Sequence, residues 1–176
     1  MARALAGPPA AIIISGPPGM GKSSLLLEAA LRSGWRFPGG VAYAAGPRPE
    51  EAKAATAQDL VSSLAGSLEL GNAEDLFSYT AMQPTLLLLD NLDSLAGDEQ
   101  IRLRELLRRL GGESAAILAL RPSSEALEDL PSAVPIQLHH GLALSEARRY
   151  DLEQSAQRKI PLTPDKALLI ARAVGG

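Results

Sequence analysis

One stretch of this chain constrains its fold more than any other. Ala11 to Ser15 is a short apolar run. Gly16-Pro17-Pro18-Gly19-Met20-Gly21-Lys22-Ser23 follows without a break, and an amphipathic segment runs on from about Gly21 to Arg32. A short apolar run bounded by glycines reads as a buried strand, and the periodic segment after it reads as a helix. The rest of the chain repeats this alternation. Val41 to Ala45, Thr85 to Asp90, Ala115 to Leu120 and Val134 to His139 read as further strands with helices between them. Such alternation predicts a parallel sheet covered on both faces.

The loop also has a chemical reading. Its spacing is that of a Walker A phosphate-binding loop. Glycines let backbone N–H groups turn inward with no side chain in the way. The helix starting near Gly21 aims its positive end at an anion. Lys22 then reaches the β- and γ-phosphates, and the Ser23 hydroxyl ligates magnesium. The expected nucleotide-binding residues are Gly16, Pro17, Pro18, Gly19, Met20, Gly21, Lys22, Ser23 and Ser24. An ordinary glycine-rich turn is the competing reading, and the flanking strand and helix argue against it.

Two further elements complete the expected site. Leu86-Leu87-Leu88-Leu89-Asp90 is a buried strand ending in a carboxylate, which delivers the acid to the sheet edge where ligands bind. Asp90, with Ser23, is the expected magnesium ligand. Asn91 stands where many P-loop ATPases carry an acid that polarises the attacking water. Asparagine can hydrogen-bond a water but cannot take its proton, so slow hydrolysis of ATP to ADP is expected. Asp93 could substitute as base or cap the next turn. Arg121, directly after Ala116 to Leu120, is placed to read the γ-phosphate. The expected catalytic set is therefore Lys22, Asp90, Asn91 and Arg121.

Composition supports a globular chain. The 176 residues are 46% hydrophobic but only 3% aromatic, so aliphatic side chains must build the core, with Trp35 and Phe37 read as anchors in it. A net charge of -3 offers no basic footprint for direct nucleic-acid binding. There is no cysteine, which excludes thiol catalysis and Cys-ligated zinc. The apolar runs are too short to span a bilayer and Met1 to Ala6 is not a signal peptide, so a cytoplasmic location is the default. His139 and His140 are neighbours in an expected strand and point to opposite faces, which argues against a shared metal. No Asn-Lys-x-Asp guanine signature is present, which leaves ATP over GTP. A helix is expected to start at Pro49, and another from about Asp98 to Leu110 to pack through Ile101, Leu103, Leu106, Leu107 and Leu110. Ser145 and Thr163 are the expected N-caps of the last two helices.

With these motifs placed, the chain resembles the nucleotide-binding domain of STAND ATPases, in particular the bacterial NB-ARC-like regulators. The resemblance rests on Phe37-Pro38-Gly39-Gly40-Val41-Ala42-Tyr43, on Leu87 to Asn91, on Arg121 closing the sensor strand, and on Leu144-Ser145-Glu146-Ala147. It implies an ASCE-type P-loop NTPase, a three-layer α/β/α sandwich with a parallel five-stranded sheet. The sensor strand would lie between the Walker A and Walker B strands. It implies one nucleotide-binding domain over 1–176, with 144–176 beginning a helical lid. It also implies an ATP/ADP-driven, Mg2+-dependent regulatory switch with protein partners or self-oligomers. The family's upstream Gly-Arg-Glu segment is not matched in Met1 to Pro9. The family normally continues beyond a stretch like Val174-Gly175-Gly176 into Gly-Leu-Pro-Leu, so the resemblance implies a truncated module. Two other readings stand beside the switch. One is an AAA-type remodelling or loader ATPase, where Gly-Pro-Pro-Gly-x-Gly-Lys-Ser is also common. The other is a P-loop small-molecule kinase. In most kinases and GTPases the P-loop and Walker B strands are direct neighbours, so strand order separates the kinase from the other two.

Overall fold

The computed structural model describes residues 10–47, 55–122, 127, 130, 133–139, 143–159 and 161–173. The chain divides into two compact units, 1–137 and 138–176. The first unit contains β1 (Ala10–Ser15), α1 (Lys22–Ser33), β2 (Val41–Ala45), α2 (Ala57–Ser67), α3 (Ala73–Met82), β3 (Leu86–Asp90), α4 (Gly97–Leu107), β4 (Ala115–Leu120) and β5 (Ala133–Gln137). The second contains α5 (Leu144–Gln157) and α6 (Pro164–Ala173), which pack on one another.

Five parallel strands form one sheet in the order β2-β3-β4-β1-β5. The sensor strand β4 therefore separates the P-loop strand β1 from the Walker B strand β3, as an ASCE sheet requires. That order departs from the one expected of most kinases and GTPases.

The central strands β3 and β4 are apolar on every residue but the last of β3, and buried throughout. Two helical layers explain this. Successive side chains of a strand point to opposite faces. Ile13, Leu87, Leu89, Ala116, Leu118 and Leu120 join one core cluster with Leu60, Val61 and Leu64 of α2, Leu76 of α3, and Leu103 and Leu107 of α4. The alternate residues Ile12, Ile14, Leu86, Leu88, Ile117 and Ala119 are buried too. On that side α1 packs against β1, β3 and β4, with Leu26 and Ala29 buried. The outer strand β2 has neighbours on one side only, and its burial alternates along the strand.

Several local expectations are corrected. Trp35 is not a core anchor. It lies 82% exposed in a short turn beyond α1, its indole N–H donating to the Arg32 carbonyl at 3.0 Å, whereas Phe37 is buried as expected. Ile101 is half exposed, because α4 turns Leu103 and Leu107 inward. Ser145 does not cap α5. The helix starts at Leu144 with Ala143, two residues before Ser145, at the N-cap position, and the Glu146 carboxylate accepts the Ala143 N–H at 3.3 Å. β5 ends at Gln137, so His139 follows the strand, and His140 lies outside the described residues. The helix expected from Pro49 also begins outside them. The described helix α2 starts at Ala57, where Thr56 Oγ1 accepts the Asp59 N–H at 3.1 Å and Asp59 Oδ2 accepts the Thr56 N–H at 3.0 Å. This reciprocal capping satisfies two otherwise orphaned backbone donors. Among the described residues no helix is long and apolar enough to cross a membrane.

Candidate functional site

The parallel register assembles the site at one edge of the sheet. Ser15, the last residue of β1, pairs with Leu120, the last residue of β4. The chain leaves β1 into Gly16 and leaves β4 into Arg121, so these two residues stand abreast. β3 pairs with β4 through Leu89 and Leu118, which brings Asp90 to the same edge. The sheet, not the sequence spacing, is what gathers Gly16, Asp90 and Arg121.

The loop itself is shaped by two left-handed glycines, Gly19 (φ 82) and Gly21 (φ 79). Gly21 is the N-cap residue of α1, and it brings no side-chain cap to the helix. No acidic residue occupies the first turn of α1 either. Most helices satisfy their first N–H groups with a Ser, Thr, Asp or Asn side chain. Here the N-cap residue supplies no side-chain acceptor, and the helix dipole at this end favours an anion. Pro17, Pro18, Gly19, Ser23 and Ser24 are exposed, and Met20 is half-buried.

Lys22 folds back over the loop. Its ammonium donates to the Gly16 carbonyl at 2.8 Å and to the Pro17 carbonyl at 2.9 Å. Burial lowers its pKa below the ordinary 10.5. Asp93 pulls the other way, Arg121 lowers it further, and Asp90 raises it. These four groups thus share one electrostatic field, in which Asp93 acts on the lysine more strongly than Asp90 does.

The opposite wall is built from side chains. Asp90 is only 9% exposed. Its Oδ1 accepts the Asn91 N–H at 2.8 Å, and its Oδ2 lies 3.5 Å from the Tyr43 hydroxyl on β2. Asn91 adopts a left-handed backbone (φ 55), which asparagine tolerates better than most residues. Its side-chain amide donates to the carbonyls of Gly46 and Pro47, tying the end of β3 to the end of β2. A carbonyl oxygen is then the only side-chain group Asn91 can offer to a water. Arg121 Nε meets Asp93 Oδ2 at 2.8 Å, with the carboxylate side chain 13% exposed and the arginine 42%.

The residues fit a magnesium nucleotide. Ser23 and Asp90 supply oxygen donors, which suit a hard divalent cation. Among the described residues there is no cluster of three or more His, Cys, Asp or Glu able to hold a metal. A magnesium ion held by Ser23 and Asp90 would ordinarily take further ligands from water and phosphate oxygens. Sequence reading anticipated Lys22, Asp90 and Arg121 at one place. It missed the Arg121–Asp93 pair, the Asn91 tie to Gly46 and Pro47, and the nearness of Tyr43 to Asp90. None of these carries a local signal, because each joins segments far apart in sequence.

A glycine-cornered loop at a helix N-terminus, a carboxylate ending the third strand, and a strand inserted between them define a P-loop nucleotide-binding domain. More narrowly, residues 12–133 match the model of the AAA family, the ATPase family associated with various cellular activities, and the chain belongs to that family. Two solved structures share its fold. One, described as a DNA replication initiation factor, is 20% identical with a TM-score of 0.61, covering 92% of this chain and 49% of its own. The other, Cdc6p from Pyrobaculum aerophilum, is 16% identical with a TM-score of 0.65, covering 92% of this chain and 48% of its own. This chain thus spans about half the length of those two proteins. No curated protein matches it in sequence.

Proposed function

We propose that this domain is the nucleotide-binding module of an AAA-type remodelling or loading ATPase, one that changes state on binding Mg-ATP and hydrolyses it slowly. The observation that carries the reading is the convergence of Lys22, Asp90, Asp93 and Arg121 on one electrostatic site beside uncapped helix amides. Loop amides and Lys22 bind the phosphates, with Lys22 exchanging its two carbonyl partners for phosphate oxygens. Ser23 and Asp90 would hold magnesium, which when bound would supply charge neutralisation to the phosphates. Asn91 orients water through its remaining carbonyl but removes no proton, so bond cleavage lacks general-base help of the usual 10²–10⁴-fold size. An NB-ARC-like signalling switch is the second reading, favoured by an arginine at the end of β4. In either case the partners are proteins, and the acidic net charge supports no direct nucleic-acid contact.

Calorimetry and steady-state phosphate release test this together. The expected result is Mg-dependent binding of ATP and ADP, with turnover far below about 10 s⁻¹, the median for enzymes. Asp90→Asn should remove the magnesium dependence of binding. Rapid unassisted turnover, or transfer of phosphate to a small acceptor, would overturn the reading. A protein partner that engages only the ATP form and is itself remodelled supports a loader, whereas ATP-driven self-assembly supports the signalling switch.

A further inference from the structure

The Arg121–Asp93 pair has a use beyond stability. Arg121 leaves β4 abreast of Gly16, the first residue of the phosphate loop. Its guanidinium is nevertheless committed to Asp93, in the turn just past the Walker B strand, at 2.8 Å. Asp93 is 13% exposed, so its carboxylate is held in place, while Arg121 at 42% retains freedom to move. Both lie in the electrostatic field of the Lys22 ammonium. The carboxylate is therefore an anion that pairs with Arg121 and acts electrostatically on the loop lysine, the two cations a terminal phosphate would also engage.

We propose that Asp93 is an internal stand-in for the γ-phosphate, holding Arg121 until a nucleoside triphosphate competes for it, and so sets how strongly the domain prefers ATP to ADP. The proposal rests on the nucleotide-binding reading above. A γ-phosphate carries more charge and more acceptor oxygens than a carboxylate and matches the guanidinium fork at least as well. It takes Arg121 from Asp93. A diphosphate ends short of that position and leaves the pair intact. Opening the pair costs part of the ATP binding energy and none of the ADP binding energy. Asp93 is here a positioning residue, acting on the ligand through Arg121.

The test is the ratio of ATP to ADP affinity in magnesium buffer, measured by titration calorimetry on the whole chain. Asp93→Asn should raise the ratio about three- to fivefold, the scale of a partly exposed ion pair. Asp93→Glu, which restores the pair, should stay near the wild-type ratio. Arg121→Ala should lower the ratio towards one. The deciding comparison is Asp93→Asn in the Arg121→Ala background, where its effect should largely vanish. An equal effect in both backgrounds would show that Asp93 acts only as a nearby negative charge and would overturn the latch. So would an unchanged ratio in Asp93→Asn, with Asp93→Glu as the check on folding. Failure of the wild-type chain to bind either nucleotide would instead remove the nucleotide-binding reading itself.

Discussion

Gly16 to Lys22 and Asp90 to Ser94 face one another across the sheet edge, and they are made differently. The first is backbone. Its shape comes from two left-handed glycines, its proline side chains are exposed, and its one charged side chain folds onto the loop's own carbonyls. The second is held through side-chain contacts to distant segments: its own Asn91 amide on Gly46 and Pro47, Arg121 on Asp93, and Tyr43 beside Asp90. A loop built from its own backbone depends on conformation and little on its neighbours. A turn built by distant partners depends on close approach. Glycines on the two sides should therefore fail for different reasons.

Gly46 should give the largest loss. Its N–H donates to the Asp90 carbonyl at 2.9 Å, and a Cβ there would stand 2.5 Å from the Asn91 carbonyl oxygen and collide with the Ser94 hydroxyl. The Asn91 carbonyl is backbone and cannot swing away. Gly46→Ala should destabilise the protein by about 1–3 kcal/mol, the usual cost of forcing extra volume into a packed site. Urea denaturation measures it. A midpoint equal to wild type would mean the Walker B turn is not braced from β2, and the comparison would break.

Gly19 should cost less and respond to chemistry differently. A Cβ added there meets nothing within 4 Å, so only its φ of 82 resists substitution. Gly19→Ala should lose about 1–2 kcal/mol, the penalty for a left-handed L-residue. Gly19→Asn should lose visibly less, because asparagine tolerates that region. Equal losses for the two in the same urea experiment would argue against a purely conformational role.

The same contrast explains what could be read from the chain. The phosphate loop is contiguous, so Gly16 to Ser23 announced strand, turn and helix together, and Leu86 to Asp90 and Ala115 to Leu120 followed from their apolar runs. Strand order was readable only by resemblance, since nothing in the apolar pattern of β4 says that it inserts between β1 and β3. Trp35 shows the limit of composition: a large aromatic was expected inside, yet the turn after α1 leaves it in solvent. Asp93 shows the limit of motif reading. Its neighbours suggested a base or a cap, whereas its partner Arg121 comes from the end of another strand. Short strings such as Leu-Leu-Leu-Asp-Asn at Leu87 to Asn91 pointed towards NB-ARC-like regulators. The match over 12–133 weighs the whole pattern and assigns the AAA family.

The smallest expected effect sharpens the electrostatic half of the comparison. Burial lowers the Lys22 pKa below 10.5, and Asp93 and Asp90 only partly restore it. The ammonium is the form that binds phosphate, so nucleotide affinity should fall as pH rises through that lowered value. The fall should begin earlier than an ordinary lysine would allow. Bound polyphosphate favours the charged form, so binding on the alkaline side should take up a proton. Calorimetry in two buffers of different ionisation enthalpy reads that uptake directly. Lys22→Arg keeps its charge across the whole range. Whatever affinity it retains should show no uptake, and an unchanged uptake in this variant would assign the titration to some group other than Lys22.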